Sequence, residues 1–152
     1  MSAVGPRLDR GDERGQTTLM IIGFAVIALL MVTVVVNASA AFLARRSLSS
    51  WADGAAVLAA QSVAEDAVYT GQVGEVLPLS QAAAREAVGG YVARQGLAGR
   101  FEGFRVAEVS VRGDGAVTVA FTARVPMVFV NTVAPGSAVP VVGSASALAP
   151  LR

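Results

Sequence analysis

No charged side chain occurs between Arg14 and Arg45, and from Leu19 to Val36 every residue is apolar except Gly23 and Thr33. About 20 apolar residues, rising about 1.5 Å each in a helix, match a hydrocarbon layer of about 30 Å. A core helix of a soluble protein would show a polar stripe. None appears before Asn37 and Ser39. The run from about Leu19 to Ala44 is therefore expected to cross or enter a bilayer as a single helix.

The rest of the chain must be small. Of 152 residues, 54% are apolar and 15% charged, and the apolar excess lies near the N-terminus. A net charge of +1 provides no basic stripe for a nucleic-acid backbone. The absence of cysteine removes disulfides, thiolate catalysis and cysteine-based metal sites. The absence of histidine removes the commonest general base and metal ligand. No phosphate-binding loop, zinc spacing or nucleophile-base pair is present, so no catalytic residue, metal ligand, cofactor or small-molecule substrate is expected. Glu65 and Asp66 are adjacent and so about 100° apart on a helix, which does not make a carboxylate pair. Glu102, Glu108 and Asp114 fall on separate turns without a base partner.

Arg7, Arg10 and Arg14 precede the apolar run and Arg45 and Arg46 follow it. By the positive-inside rule this favours a cytoplasmic N-terminus with the bulk of the chain outside the inner membrane. A second reading stays open at this stage: Ala38, Ser39 and Ala40 satisfy the small-residue rule for a signal peptide cleaved after Ala40, which would release an exported binding protein. Against it, the apolar run exceeds the usual 7 to 15 residues of a signal core. Ala38 to Ala44 also continues as good helix former, without Gly or Pro.

Beyond Arg46, Leu48, Trp51, Ala52, Ala55, Leu58, Ala59 and Ser62 recur at three- and four-residue spacing and form one helical stripe. Ser49, Ser50, Asp53, Gln61 and Glu65 lie opposite. One long helix from about Thr17 to Val68 is expected, with Gly54 its weakest point at about 1 kcal/mol against Ala. Gly71, Gly74 and Pro78 mark a connection. Ser80 is expected to cap a second helix with Ala84, Ala87, Val88, Tyr91 and Val92 as its apolar face, and Gly89 and Gly90 to end it early. From Phe104 the period falls to two: Val109 and Val111, then Val117, Val119 and Phe121, on either side of Gly113-Asp114-Gly115. Asp-Gly in that place predicts a hairpin, because Gly accepts the positive φ of the turn. It also makes Arg112-Gly113-Asp114 a turn rather than an integrin-type ligand. Val139 to Leu148 reads as a last strand, which Pro140 places at an edge or a strand start.

The expected fold is α+β: a tail (1–16), a transmembrane helix (17–44), an amphipathic extension (45–70) and a small extracytoplasmic head (71–152) with one helix and a short antiparallel sheet. Small residues let helices approach closely in lipid. Ala38, Ser39, Ala41 and Ala44, together with Ala52, Ala55 and Ala59, are candidates for packing against a partner helix. Asn37 is a candidate for an interhelical hydrogen bond or equally for a place level with the headgroups, Asp53 for a solvated helix face or a polar contact to a neighbouring subunit, and Trp51 for the membrane surface, which the interfacial preference of Trp supports, or the core of the head.

The order of these features resembles the Tad-type Flp pilus-assembly proteins, the TadE/TadG-like family. The resemblance rests on Arg14-Gly15-Gln16, the apolar helix, the Arg45-Arg46 pair and the run Leu48 to Ala60 with Ala52-Asp53-Gly54-Ala55-Ala56, and so covers roughly Arg14 to Ala60. It implies a pilin-like α+β fold, a minor pilin or pseudopilin role without enzymatic activity, and membrane lipid and other pilus-assembly proteins as partners. Two departures stand out. Family members often carry an acidic residue late in the membrane helix, where this chain has Asn37. Prepilins carry Glu five residues after the processing glycine, and counting from Gly15 gives Met20, so prepilin-peptidase cleavage is not expected.

Overall fold

The computed structural model describes residues 12–70, 76–127 and 129–148. The tail up to residue 11 and the connection through Gly71 and Gly74 lie outside the described residues. Two compact units divide the chain, 1–36 and 37–152.

One helix, α1 (Asp12–Thr70), runs unbroken through both units. In unit 1 it is the apolar run, with its described side chains exposed except the half-buried Thr33. In unit 2 the same helix becomes a core element, burying Leu48, Ala52, Ala55, Ala56, Ala59, Ala60 and Val63. The expected stripe is therefore real but wider, because alanines at 56 and 60 let neighbours close in on both sides of it. Gly54 leaves the helix intact. The Tyr91 hydroxyl occupies the space a Cβ would take there, so packing offsets the glycine's low propensity.

α2 (Val76–Gln95) follows. Ser80 is its fifth residue and is 3% exposed, so it is not the expected cap but an interior residue. Pro78, in the first turn, is tolerated where no intrahelical N–H bond is needed. Gly89 and Gly90 do not end the helix, since Val88 before them is buried and Tyr91 and Val92 after them pack on the same core. Two short helices not anticipated from sequence are α3 (Leu97–Arg100), entered through the left-handed Gly96, and α4 (Val130–Val133).

The sheet is an antiparallel meander of β1 (Arg105–Val111), β2 (Ala116–Pro126) and β3 (Ala138–Leu148), in that spatial order. The hairpin is where expected. Val109 pairs with Val119 and Val111 with Val117, Gly115 N donates to Arg112 O at 3.0 Å, and Gly115 has φ 79°. Asp114 Oδ1 accepts from Ala116 N at 3.1 Å, which makes Arg112-Gly113-Asp114 part of the turn. β3 is one of the two edge strands, with Pro140 opposite Arg124. Residue 107 forms a bulge in β1.

Three contacts orient the elements of unit 2. Gly143 on β3 lies against the α1 backbone: a Cβ there would meet Ser49 N and come within 2.5 Å of the Leu48 carbonyl carbon. Tyr91 meets α1 at Gly54. Only residues 71–75 join α1 to α2, so the two helices are antiparallel neighbours. Gln81, ten residues before Tyr91 and thus about 15 Å along α2, consequently lies toward the Thr70 end of α1. Its side chain bonds Val109 O at 2.6 Å and Val111 N at 2.9 Å. The hairpin end of the sheet therefore faces the Thr70 end of α1, and the Pro126–Ala138 end faces Asn37.

The core between these elements comprises Phe121, Val117, Val119 and Ala123 from β2, Val141 from β3, Ala84 and Val88 from α2, and Leu97. Phe104 joins it, 5.2 Å from Phe121 by ring centroids. Trp51 belongs here as well: of its two expected places, membrane surface and core of the head, the structure has the second. It is half-buried against the core, 6.3 Å from the Tyr91 ring, with the Arg100 guanidinium 5.5 Å over its face.

Candidate functional site

The feature with most chemical consequence is the surface of α1. Its Gly15–Glu65 portion includes an 18-residue window of mean hydropathy 3.1, none of it buried within the molecule. Leu19 is 73% exposed and Phe24 76%. Burying such side chains in hydrocarbon is favourable by about 1.5–3 kcal/mol each, so length and composition alone suit this helix to cross a membrane. Its one hydroxyl inside the apolar run is already satisfied: Thr33 Oγ1 donates to Leu29 O at 2.9 Å. A hydroxyl bonded back to its own helix is tolerated in lipid.

Asn37 comes next. Its Oδ1 is shielded from solvent and has no hydrogen-bond partner among the described residues. An orphaned buried amide oxygen costs about 1–3 kcal/mol. Of the small residues that follow, Ala38 and Ser39 are exposed, whereas Ala41 and Ala44 pack partly against the chain's own core.

Ala52, Ala55 and Ala59 are fully buried inside unit 2. Their small side chains serve packing within the chain, against α2 and the sheet, and offer no surface to a partner helix. This corrects the expectation of partner packing at those positions. The residues at this level that do face solvent are Asp53 and Val57, the latter 45% exposed. Asp53 forms no hydrogen bond or ion pair with the described residues.

Sequence reasoning missed three structural residues. Gly143 is legible only as a glycine in a strand, which signals close approach of another backbone without saying which. Gln81 sits in an alanine-rich helix with nothing to mark its strand-like bonds to β1. Tyr91 was placed on an apolar face, but its hydroxyl's place over Gly54 was not.

Among the described residues no three His, Cys, Asp or Glu side chains cluster as metal ligands. The groove between α1 and α2, about 430 Å³, is lined by Leu58, Ser62, Ala83, Glu86, Ala87 and Arg94 among others. It is open, and the Ser62 hydroxyl that lines it donates to Leu58 O at 3.1 Å.

With this geometry established, comparison with known proteins is informative at one place. Residues 15–62 match the Tad family, described as "Putative Flp pilus-assembly TadE/G-like". The Tad match coincides with the apolar run and the part of α1 that enters the core, and ends before α2 and the sheet. It supports a membrane protein related to pilus assembly. No curated protein and no solved structure matches.

Proposed function

We propose that this chain is a structural, non-catalytic subunit of a Tad/Flp-type pilus assembly or a related secretion apparatus, in the manner of a minor pilin or pseudopilin. In this reading α1 anchors it once in the inner membrane, with the N-terminus cytoplasmic and unit 2 outside, and other pilus-assembly proteins pack laterally against the helix. The carrying observation is the Tad match to residues 15–62, where exposed apolar helix passes into core helix without interruption. The orphaned Asn37 amide supports a polar contact at the end of the apolar run, where an interhelical hydrogen bond contributes about 1 kcal/mol.

The test replaces residues 19–36 with leucine, which keeps the anchor and erases its side-chain detail. Membrane fractionation is expected to be unchanged, while co-purification with pilus-assembly proteins and piliation fall. Undiminished piliation would refute lateral packing through this segment.

A second reading is favoured by one specific observation. The division between compact units at Val36 and Asn37 lies beside Ala38-Ser39-Ala40, so cleavage after Ala40 would free nearly all of unit 2. A mature N-terminus at Ala41, read by mass spectrometry, would select an exported binding protein instead.

A further inference from the structure

The connection between β2 and β3 has properties that a soluble loop does not need. No charged residue occurs between Arg124 and Arg152, and the connection opens with Met127-Val128-Phe129-Val130. Phe129 is 43% exposed and Val130 37%. The loop is nevertheless closely self-bonded. Met127 N donates to Ser137 O, Asn131 N to Met127 O, Ala134 N to Val130 O, and Gly136 N to Asn131 Oδ1, all within 2.7–3.1 Å. Ser137 Oγ donates to Ala134 O at 2.8 Å. Internal satisfaction of backbone groups is what a segment needs where water is scarce.

Its place in unit 2 is equally specific. Val125 and Val139 pair four residues beyond the Phe121–Gly143 pair, about 13 Å along the strands. Measured from Leu48 toward Asn37, that distance is about nine residues of helix. Ala41, Ala44 and Val125 all pack on the core of unit 2. Between Leu48 and this level, six and five residues before Leu48, α1 exposes Phe42 (65%) and Leu43 (63%), the last large apolar residues before the Arg45-Arg46 pair. Apolar side chains from two separate parts of unit 2 thus share one end of it.

Charge accompanies them. Arg45, Arg46, Arg105 and Arg124 are all exposed; Arg105 pairs with Thr122 and Arg124 with Pro140 in the half of the sheet away from the hairpin, and the exposed Glu102 accepts from Arg124 N through its backbone at 2.8 Å. Gly103 is left-handed (φ 60°), and a Cβ there would come within 3.2 Å of the Arg124 side chain, so Arg124 is packed along that turn. Apolar tips ringed by arginine are the composition of a surface that lies in the headgroup region of an anionic bilayer.

We propose that the β2–β3 connection, tipped by Phe129 and Val130 and flanked by Arg45, Arg46, Arg105 and Arg124, rests in the interfacial layer of the membrane that α1 enters and binds anionic lipid. It is a second, reversible contact that fixes unit 2 against the bilayer. The inference rests on the anchor reading of α1 and is independent of the pilus role.

The chain has no cysteine, so single cysteines label uniquely. The full chain, carrying a nitroxide at Phe129→Cys, Val130→Cys, Val35→Cys or Gly113→Cys, is reconstituted into phosphatidylcholine vesicles with and without phosphatidylglycerol. Accessibility to oxygen and to a water-soluble nickel chelate is then compared. The labels at 129 and 130 are expected to show an oxygen-to-nickel ratio several-fold above that at 113 and below that at 35, rising with phosphatidylglycerol. Aqueous labels at 129 and 130 with a lipid-buried 35 would overturn this proposal alone, whereas an aqueous 35 would overturn the anchor. Shielding at 129 and 130 that ignores lipid charge and grows with protein density would assign the surface to a second copy, and would also overturn the proposal.

Discussion

Gly143 is held where no other residue fits. A Cβ would be driven into the α1 backbone at Leu48 and Ser49, and backbone atoms cannot step aside as a side-chain tip can. Gly143→Ala is therefore expected to destabilise unit 2 by about 3 kcal/mol, at the upper end of overpacking effects. Gly54→Ala meets only the far end of the Tyr91 side chain, whose ring must shift as a whole, and is expected to lose about 1 kcal/mol. Thermal unfolding followed by circular dichroism in detergent distinguishes the two, with Gly99→Ala, which meets nothing within 4 Å, as the near-neutral control. At this scale the sequence is readable where the constraint is local. Asp114-Gly115 announces its own turn, because the positive φ and the side-chain bond involve neighbours in the chain. Gly143 does not announce Leu48, because that contact spans most of unit 2. Ser80 misleads for a related reason: a serine before an apolar stripe has the same appearance as a cap and as an interior residue, and only the start of α2 at Val76 separates them.

At the scale of elements, α1 changes its surroundings without changing its conformation, and its composition records the change. Bulky Leu, Ile, Val and Phe face outward from 19 to 36, and alanine dominates once the sheet and α2 close around it. The length and the stripe of this helix were legible because periodicity is carried by each side chain in turn. The occupant of the alanine face was not, since alanine suits a partner helix and an internal sheet equally. Ala55→Leu is accordingly expected to unfold or loosen unit 2, losing about 1–3 kcal/mol. Asp53→Ala, on the open side, is expected to stay within about 0.5 kcal/mol of the parent. Urea titration of both variants checks the contrast, and equal stability would reassign the alanine face to solvent or a partner. The β1 edge supplies a second case. Gln81→Ala leaves Val109 O and Val111 N without their side-chain partner and is expected to cost about 1–2 kcal/mol. Hydrogen exchange should show it first at the Val111 amide.

For the whole molecule, the core residues and those packed on them lie between Ala41 and Ala147, entirely within unit 2. A chain lacking residues 1–36 is expected to retain cooperative unfolding and a dispersed amide spectrum in water, while the full chain requires detergent or lipid. A full-length chain that remained monomeric without detergent would contradict the membrane assignment at its root. The division of labour is visible in the uneven distribution of apolar residues along the sequence. The arrangement of strands against α1 was not, because it depends on pairings between residues far apart in the chain.

The sheet's two borders are unequal. α2 lies along β1, and Gln81 supplies there a donor and an acceptor that another strand would have offered, whereas among the described residues no strand lies beyond β3. A sheet with one border partly covered adds strands more readily at the other. Two molecules meeting β3 to β3 would exhaust their free backbone groups on each other and halt at a pair. Strand addition at the β1 border would have to displace the Gln81 side chain from Val109 and Val111, a cost the β3 border does not impose.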